Sequence, residues 1–241
     1  MSLVTTKSAT SNNRLETGRP LLRALAAKLA ALLFAFGLVA GPDLAAEAAS
    51  EQDARVEAAS TAGAFLQQLG EKAVVDLTDN EISEEERESR FRALFTAGFD
   101  TAAISRFVLG AQWRKASEAQ REEFLAVFED AVVQRFLPMF AQYSGETFTI
   151  GQERRDEGKS GHIFVPVMIT PPKGEPFRVD WRLREVDSSY KIIDILAEGV
   201  SLALTLRQEY GAFVKRNGMD ELIKLLRNKV AAGAFAPKAQ Q

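Results

Sequence analysis

The 241-residue sequence predicts an α+β fold, a four-stranded antiparallel meander sheet packed against N-terminal and C-terminal helices. Two observations carry this prediction. Apolar residues recur at helical spacing as far as about residue 143, alternate with polar residues between 146 and 197, and return to helical spacing from 199. The connectors between the alternating segments are short and rich in turn residues, so strands that follow one another in sequence are expected to pair.

The helices before the sheet are predicted over 57–77, 83–99, 100–109 and 117–143. Ser83 with Glu86, and Ser117 with Gln120, have the spacing of a capping box, which marks the start of a helix. Pro138 lies inside the last of these helices and is expected to kink or break its final turns.

The strands are predicted over 146–154, 162–170, 177–186 and 189–197. The segment 177–186 alternates apolar and charged residues throughout, as in a strand with one buried and one exposed face. Pro166 indicates a strand edge or a bulge, because proline cannot donate to a neighbouring strand. Two further helices, 199–216 and 219–230, complete the predicted domain.

The N-terminal segment has the pattern of a secretory signal peptide. Arg19, Arg23 and Lys28 precede the apolar run 29–40, and a small-x-small site follows at Ala46-Glu47-Ala48. The run is too short to cross a bilayer as an anchor. We therefore predict a removed signal over 1–48, a single domain over 49–232, a flexible tail over 233–241, and export to a bacterial periplasm.

Composition and motifs argue against several classes of function. The chain has a formal net charge of −3 and no cysteine, so neither nucleic acid nor an anionic membrane surface is an expected partner, and no disulfide is used. The single histidine, His162, has no second histidine or cysteine with which to bind a metal. Ser201 lacks the second glycine of a G-x-S-x-G nucleophile elbow, and a helix-capping role suits it better. No cofactor motif is present.

Asp194 is the carboxylate that most needs a partner, because it lies between isoleucines on a predicted strand. A structural pairing with Arg182 or Arg207 is one interpretation. An acid pair with Glu198 for general acid–base catalysis is the alternative, and it would make the protein a hydrolase. We predict no catalytic residue, no metal site and no enzymatic activity.

Phenylalanine is unusually frequent, with sixteen residues against two tryptophans and three tyrosines. Many lie on stripes that face one interior. That interior is either an ordinary filled core or an apolar hollow suited to a lipid, and periodicity does not separate the two cases.

Two ordered motifs resemble the family of periplasmic phospholipid carriers typified by MlaC, also called toluene-tolerance proteins. The first motif comprises Phe99, Asp100, Leu109, Gly110 and Trp113. The second comprises Asp194, Glu198, Gly199, Val200, Ser201 and Arg207. The resemblance runs from about residue 55 to 232 and extends to the similar HpnM branch, which is associated with hopanoid lipids. Tyr190 and Leu206 depart from the residues that relatives often carry, which leaves the exact lipid open.

The resemblance implies a carrier that shuttles a two-chain glycerophospholipid across the periplasm as a monomer. Its implied partners are an outer-membrane lipoprotein–porin complex and an inner-membrane ABC transporter that bears an MCE-domain ring, a route that maintains the lipid asymmetry of the outer membrane. A hopanoid carrier of the same family remains an alternative. A periplasmic chaperone or adaptor, with a filled core and an exposed groove for protein, is another.

If the interior is hollow, its walls are predicted from the apolar stripes. The sheet face supplies one wall, the phenylalanines of the helices supply the other, and the start of the helix at 199 closes one end. Arg207 either meets a phosphate at the mouth or pairs with Asp194 or Glu198. The predicted lipid-binding residues are Phe95, Phe99, Phe107, Phe124, Phe128, Val179, Trp181, Leu183, Ile193, Ile195, Val200, Leu202, Leu204, Leu206 and Arg207.

Overall fold

The structure, a computed structural model, describes residues 61–158 and 160–237, so the predicted signal peptide lies outside the described residues. The helices are α1 Ala62–Leu77, α2 Glu84–Gly98, α3 Thr101–Leu109, α4 Ala111–Lys115, α5 Glu118–Phe140, α6 Leu202–Asn217 and α7 Met219–Ala231. The strands are β1 Thr147–Ile150, β2 Arg154–Arg155, β3 Ile163–Thr170, β4 Phe177–Val186, β5 Ser189–Ala197 and β6 Val200–Ser201. This order of helices, sheet and helices confirms the predicted α+β class.

The sheet is antiparallel throughout and follows the order β1-β3-β4-β5-β6, with β2 also paired to β3. The predicted meander is confirmed, although the sheet has six strands rather than four. In the register, Trp181 lies opposite Val165 on one side and Ile195 on the other, so the three side chains share one face. The register shifts between Arg182 and Leu183, where β5 carries one extra residue.

Pro166 explains why the predicted strand 146–154 is divided into β1 and β2. The carbonyl of Pro166 accepts a hydrogen bond of 2.7 Å from the Gly151 N–H, but proline has no N–H to return. A Cβ at Gly151 would also lie 2.9 Å from the proline ring. The ladder therefore breaks between the two short strands, as the missing donor predicts.

The first helix after the sheet, α6, begins three residues later than predicted, at Leu202. Ala197 pairs with Val200, so Glu198 and Gly199 form a two-residue hairpin loop with φ of 52° and 79°. Two successive positive φ values are the mark of a type I′ turn, whose twist suits a tight hairpin. The short strand β6 thus occupies positions that were predicted to be helical.

The predicted starts of α2, α3 and α5 are confirmed by their caps. The Ser83 hydroxyl accepts from the Glu86 N–H at 3.1 Å, and Ser117 and Gln120 form a complete capping box. Asp100 caps α3 by accepting from the Ala103 N–H at 2.8 Å. The short helix α4 was not predicted. Helix α5 continues two residues beyond Pro138, so the proline lies near the end of the helix and does not terminate it at once.

Buried side chains form two hydrophobic clusters. The sheet cluster joins the inner face of the sheet to α1, α2 and the C-terminal half of α5. The helical cluster joins α3, the N-terminal half of α5, α6 and α7. Phe99 and Val132 pack against both clusters, so the boundary runs past the end of α2 and across the middle of α5.

Among the residues that the structure describes, no helix combines the length and the apolar character needed to cross a bilayer.

Candidate functional site

A large apolar cavity lies at the boundary between the two clusters. Its empty space, which includes the open solvent at its mouth, is about 960 Å³. Helices α1, α2, α3 and α5 contribute Leu69, Ala73, Leu77, Phe91, Leu94, Phe95, Phe99, Ile104, Phe128, Val132, Phe136 and Phe140. The sheet and α6 contribute Trp181, Ile193, Asp194, Ile195, Leu202, Ala203 and Leu206. Asp194 is the one ionisable residue among them.

A continuous row of aromatic rings forms one wall of the cavity. Phe140 meets Phe91 edge-on at 5.8 Å between ring centroids, and Phe91 stacks with Phe95 at 6.4 Å. Phe95 contacts Phe99 at 4.7 Å, and Phe99 contacts Trp181 at 6.2 Å. The row extends from α5 across α2 to the sheet and presents rigid apolar surface along its length.

Polar contacts fasten the corner between α2 and α3 to the edge of β5. The Asp100 N–H donates to the Ile192 carbonyl at 2.9 Å, and Arg184 donates to the Asp100 carboxylate. The Lys191 ammonium donates to the Thr96 and Ala97 carbonyls at the end of α2, at 3.0 and 2.6 Å. Cations are favoured at that end of a helix, so these bonds hold the part of α2 near Phe95 and Phe99 against the sheet.

Asp194, on β5, likewise fastens the start of α6 to the sheet. Its Oδ1 accepts from the Ile195 and Ala203 N–H groups, each at 2.9 Å, and its Oδ2 accepts from the Ser201 hydroxyl at 2.6 Å. The Ser201 oxygen in turn accepts from the Leu204 N–H at 3.0 Å. One buried carboxylate therefore satisfies the free amides of the helix start, directly and through the serine.

The structural interpretation of Asp194 is supported by its ion pair. Arg182 Nη1 lies 3.4 Å from Asp194 Oδ2, so Arg182 rather than Arg207 is the partner. With both of its oxygens already bonded, the carboxylate is not placed as the free member of an acid pair with Glu198.

Among the described residues, few other groups could take part in catalysis or bind a metal ion. They contain no group of three or more histidine, cysteine or acidic side chains positioned to hold a metal ion. Burial, reinforced by the positive charge of Arg182, lowers the pKa of His162. The arrangement can therefore surround an apolar molecule, and neither a nucleophile nor a metal site accompanies it among the cavity-lining residues.

Eight of the predicted lipid-binding residues do line this cavity. They are Phe95, Phe99, Phe128, Trp181, Ile193, Ile195, Leu202 and Leu206.

The other predicted wall residues lie elsewhere. Val179 and Leu183 are fully buried in the sheet cluster, and Phe124 is fully buried in the helical cluster, where Phe128 and Tyr210 surround it. Their side chains point into the interior, as predicted, but neighbouring side chains fill the space around them.

Val200 and Leu204 were placed on the wall because the helix was expected to begin at 199. With Ser201 as the N-cap, Leu202, Ala203 and Leu206 face inward and Leu204 faces outward, where it is 46% exposed. Val200 belongs to the hairpin and is also exposed.

Arg207 and Phe107 form a contact on the outside of the protein. The guanidinium lies 4.9 Å above the Phe107 ring and donates to the Phe107 carbonyl near the end of α3. Gly110 makes room for it, since a Cβ there would lie 3.0 Å from Arg207 Nη2 and the φ of 56° also favours glycine. Of the alternatives considered, Asp194 pairs with Arg182 and not with Arg207, which instead joins α6 to α3.

Several lining residues were missed. Leu69, Ala73 and Leu77 follow one another at four-residue steps along α1, and Phe136 and Phe140 continue the steps of Phe128 along α5. That spacing places each set on one helix face and was the available signal. Facing alone, however, does not identify which stripe borders an empty space.

Comparison with known proteins connects this chain to a family. The family model described as "MlaC protein" matches residues 67–228. The chain is 22% identical over 122 residues to the toluene tolerance protein ttg2D of Pseudomonas putida, which covers 50% of this chain and 56% of that protein. It is 26% identical over 119 residues to the intermembrane phospholipid transport system binding protein MlaC of Haemophilus influenzae, which covers 48% and 55%. The matches thus span about half the length of these curated relatives.

A solved structure shares the fold. The phospholipid-binding protein from Ralstonia solanacearum, in complex with a phospholipid, superposes with a TM-score of 0.64 at 17% sequence identity. The superposition covers 72% of this chain and 98% of that protein.

Proposed function

Since the chain belongs to the MlaC protein family, we propose that it is a lipid-binding carrier whose cargo is a two-chain glycerophospholipid. The observation that carries the proposal is the apolar cavity of about 960 Å³, in which the one ionisable lining residue, Asp194, is already bonded to protein groups. A structural neighbour is a phospholipid-binding protein in complex with a phospholipid, and one relative is the binding protein of an intermembrane phospholipid transport system, which supports this choice of cargo.

The energetics explain why such a carrier needs a hollow. Exposing an acyl chain to water costs about 0.8 kcal/mol per methylene, so a two-chain lipid does not cross an aqueous space unaided. The aromatic wall from Phe140 to Trp181 offers the chains a dry surface. The polar headgroup can remain in water, so the cavity itself needs no charged pocket for it.

We propose further that the carrier works in the periplasm as a monomer, between an outer-membrane lipoprotein–porin complex and an inner-membrane ABC transporter with an MCE-domain ring. The name of the Haemophilus influenzae relative, an intermembrane transport system binding protein, supports a route of this kind. Fractionation of a bacterium that expresses the whole chain, followed by N-terminal sequencing of the exported form, tests the location and the predicted signal together.

The test of cargo is native mass spectrometry of protein purified from a bacterial periplasm, with organic extraction of whatever is bound. The expected result is a monomer that carries one stoichiometric adduct, identified after extraction as a glycerophospholipid. A polycyclic adduct would identify a hopanoid carrier instead. Protein that is bare, and stays bare after incubation with phospholipid vesicles, would contradict the carrier function and favour the adaptor.

A matched pair of substitutions on α6 tests whether this cavity is the binding site. Leu206 lines the cavity and Leu204, two residues earlier, faces the solvent. Leu206→Trp is expected to lower lipid occupancy because the indole fills part of the space, whereas Leu204→Trp is expected to leave occupancy unchanged. Equal occupancy in both variants would place the lipid elsewhere.

A further inference from the structure

A second, smaller space lies between α1 and the sheet, next to the main cavity. Its empty volume is about 280 Å³, and its own walls are Leu66, Gly70, Phe148, Ile150 and Val167. Leu69 and Trp181 line this space and the main cavity alike. These two side chains therefore stand between the two spaces.

The Leu69 side chain is held in this position by close packing. A Cβ at Gly98 would lie 2.7 Å from Leu69 Cδ2 and 3.3 Å from Cδ1, so the leucine rests directly on the bare backbone of α2. Any larger residue at position 98 would displace it. Leu69 is only 6% exposed, which leaves little freedom for its rotamer to change.

Trp181 is fixed from the other side. It is 5% exposed, its ring lies 6.2 Å from that of Phe99, and its backbone is paired on both sides within the sheet. Beyond the two side chains, Phe148 closes the small space so tightly that a Cβ at Gly70 would lie 2.7 Å from its ring. The two side chains thus separate the main cavity from the small space and are both held in place by packing.

We propose that Leu69 and Trp181 form a partition that stops the acyl chain of the bound lipid and so sets the chain length that the carrier prefers. This inference rests on the proposed lipid-binding function. When the methyl end of an acyl chain reaches the partition, the chain cannot extend further into the protein. Additional methylenes must then fold back or remain in water. Each methylene left in water weakens binding by about fourfold.

Leu69→Ala tests the partition, and Leu66→Ala is its matched control. Both leucines lie on α1 and are 6% exposed, but Leu66 lines only the small space. Each protein is incubated with vesicles of phosphatidylglycerols that differ only in acyl chain length, and the bound lipids are quantified by mass spectrometry. We expect Leu69→Ala to shift the bound population towards longer chains, by up to about fourfold for each methylene that gains room, and Leu66→Ala to keep the wild-type distribution.

Identical distributions in wild type and Leu69→Ala, or an equal shift in Leu66→Ala, would overturn the partition while leaving the carrier function intact. Wild-type protein that takes up no lipid from these vesicles would overturn the carrier function, and the partition with it. Should Leu69→Ala fail to fold, Leu69→Val removes less volume, and a shift in the same direction supports the partition. If Leu69→Ala does not fold and a folded Leu69→Val variant binds the same distribution of acyl chain lengths as wild type, the partition is contradicted.

Discussion

The sheet cluster and the helical cluster are built from similar side chains, yet they contribute very unequally to the wall of the cavity. Most of the cavity lining comes from the sheet cluster, including the ring row from Phe140 to Trp181. Of the buried members of the helical cluster, only Ile104 and Phe128 reach the cavity. Aromatic content therefore does not decide whether a core is hollow.

Polar contacts with the sheet hold the elements that surround the cavity. Around the cavity, α2, α3 and α6 are anchored by hydrogen bonds to the edge of β5, through Lys191, Asp100 and Asp194. Anchored walls relax only partly into an empty space. In the helical cluster, side chains such as Phe124 pack directly between helices and leave no exposed surface.

The largest expected effect separates the two clusters on a single helix. Phe124 and Phe128 lie one turn apart on α5, at 0% and 7% exposure, but only Phe128 borders the cavity. In protein freed of lipid, Phe124→Ala should lower the free energy of unfolding by about 4 kcal/mol, and Phe128→Ala by about 2 kcal/mol because its ring has fewer neighbours to lose. Urea titration of both variants measures the difference. Equal losses would mean that the two surroundings are equally well packed.

The next effect concerns the anchor of α6. Asp194→Ala should lower the free energy of unfolding by about 3 kcal/mol, because Arg182 loses its buried partner and the first amides of α6 lose their acceptor. Ser201→Ala, which removes only the serine link, should cost about 1 kcal/mol. If the anchors hold the cavity open, lipid occupancy should also fall in Asp194→Ala. Full occupancy in that variant would show that packing alone keeps the walls apart.

Lys191 provides a smaller test at the other anchor. Lys191→Met keeps the length of the side chain but cannot donate to the carbonyls of Thr96 and Ala97. We expect a loss of about 1 kcal/mol in the free energy of unfolding, since the group is partly exposed and water replaces some of the interaction. Faster amide hydrogen exchange in the last turn of α2, with unchanged exchange in α7, would localise the effect. Uniform acceleration across the protein would argue against a local anchor.

The comparison of clusters also shows what periodicity can and cannot convey. Alternation in 177–186 predicted β4 with correct ends, because a two-residue period and one buried face follow directly from strand geometry. The start of α6 was misplaced because the helix was predicted to begin at Gly199, although glycine after the polar Glu198 also suits a type I′ turn. That single error moved Val200 and Leu204 onto a wall that they do not reach.

The alternation of apolar residues in the sequence does not reveal whether the space beside a buried side chain is filled or empty. Val179, Leu183 and Trp181 alternate identically on one strand, yet only Trp181 borders the cavity. Which inward residue meets empty space depends on helices distant in sequence, such as α1, and on how far they stand from the sheet. The Asp194–Ser201 network was foreseen in part, because a buried acid and a serine at a helix start each demand a partner.

The smallest expected effect is a pH dependence in the helical cluster. Burial raises the pKa of Glu209, an effect that Lys229 opposes. A carboxyl whose pKa is higher in the folded state than in the unfolded state adds stability below its unfolded pKa and loses that contribution as pH rises through the folded pKa. Glu209→Gln should therefore gain stability relative to wild type as pH rises from about 4 to about 7, with little effect on lipid occupancy, since Glu209 is not a lining residue. Urea titrations at several pH values measure the gap, and a gap that stays constant with pH would contradict a raised pKa of Glu209.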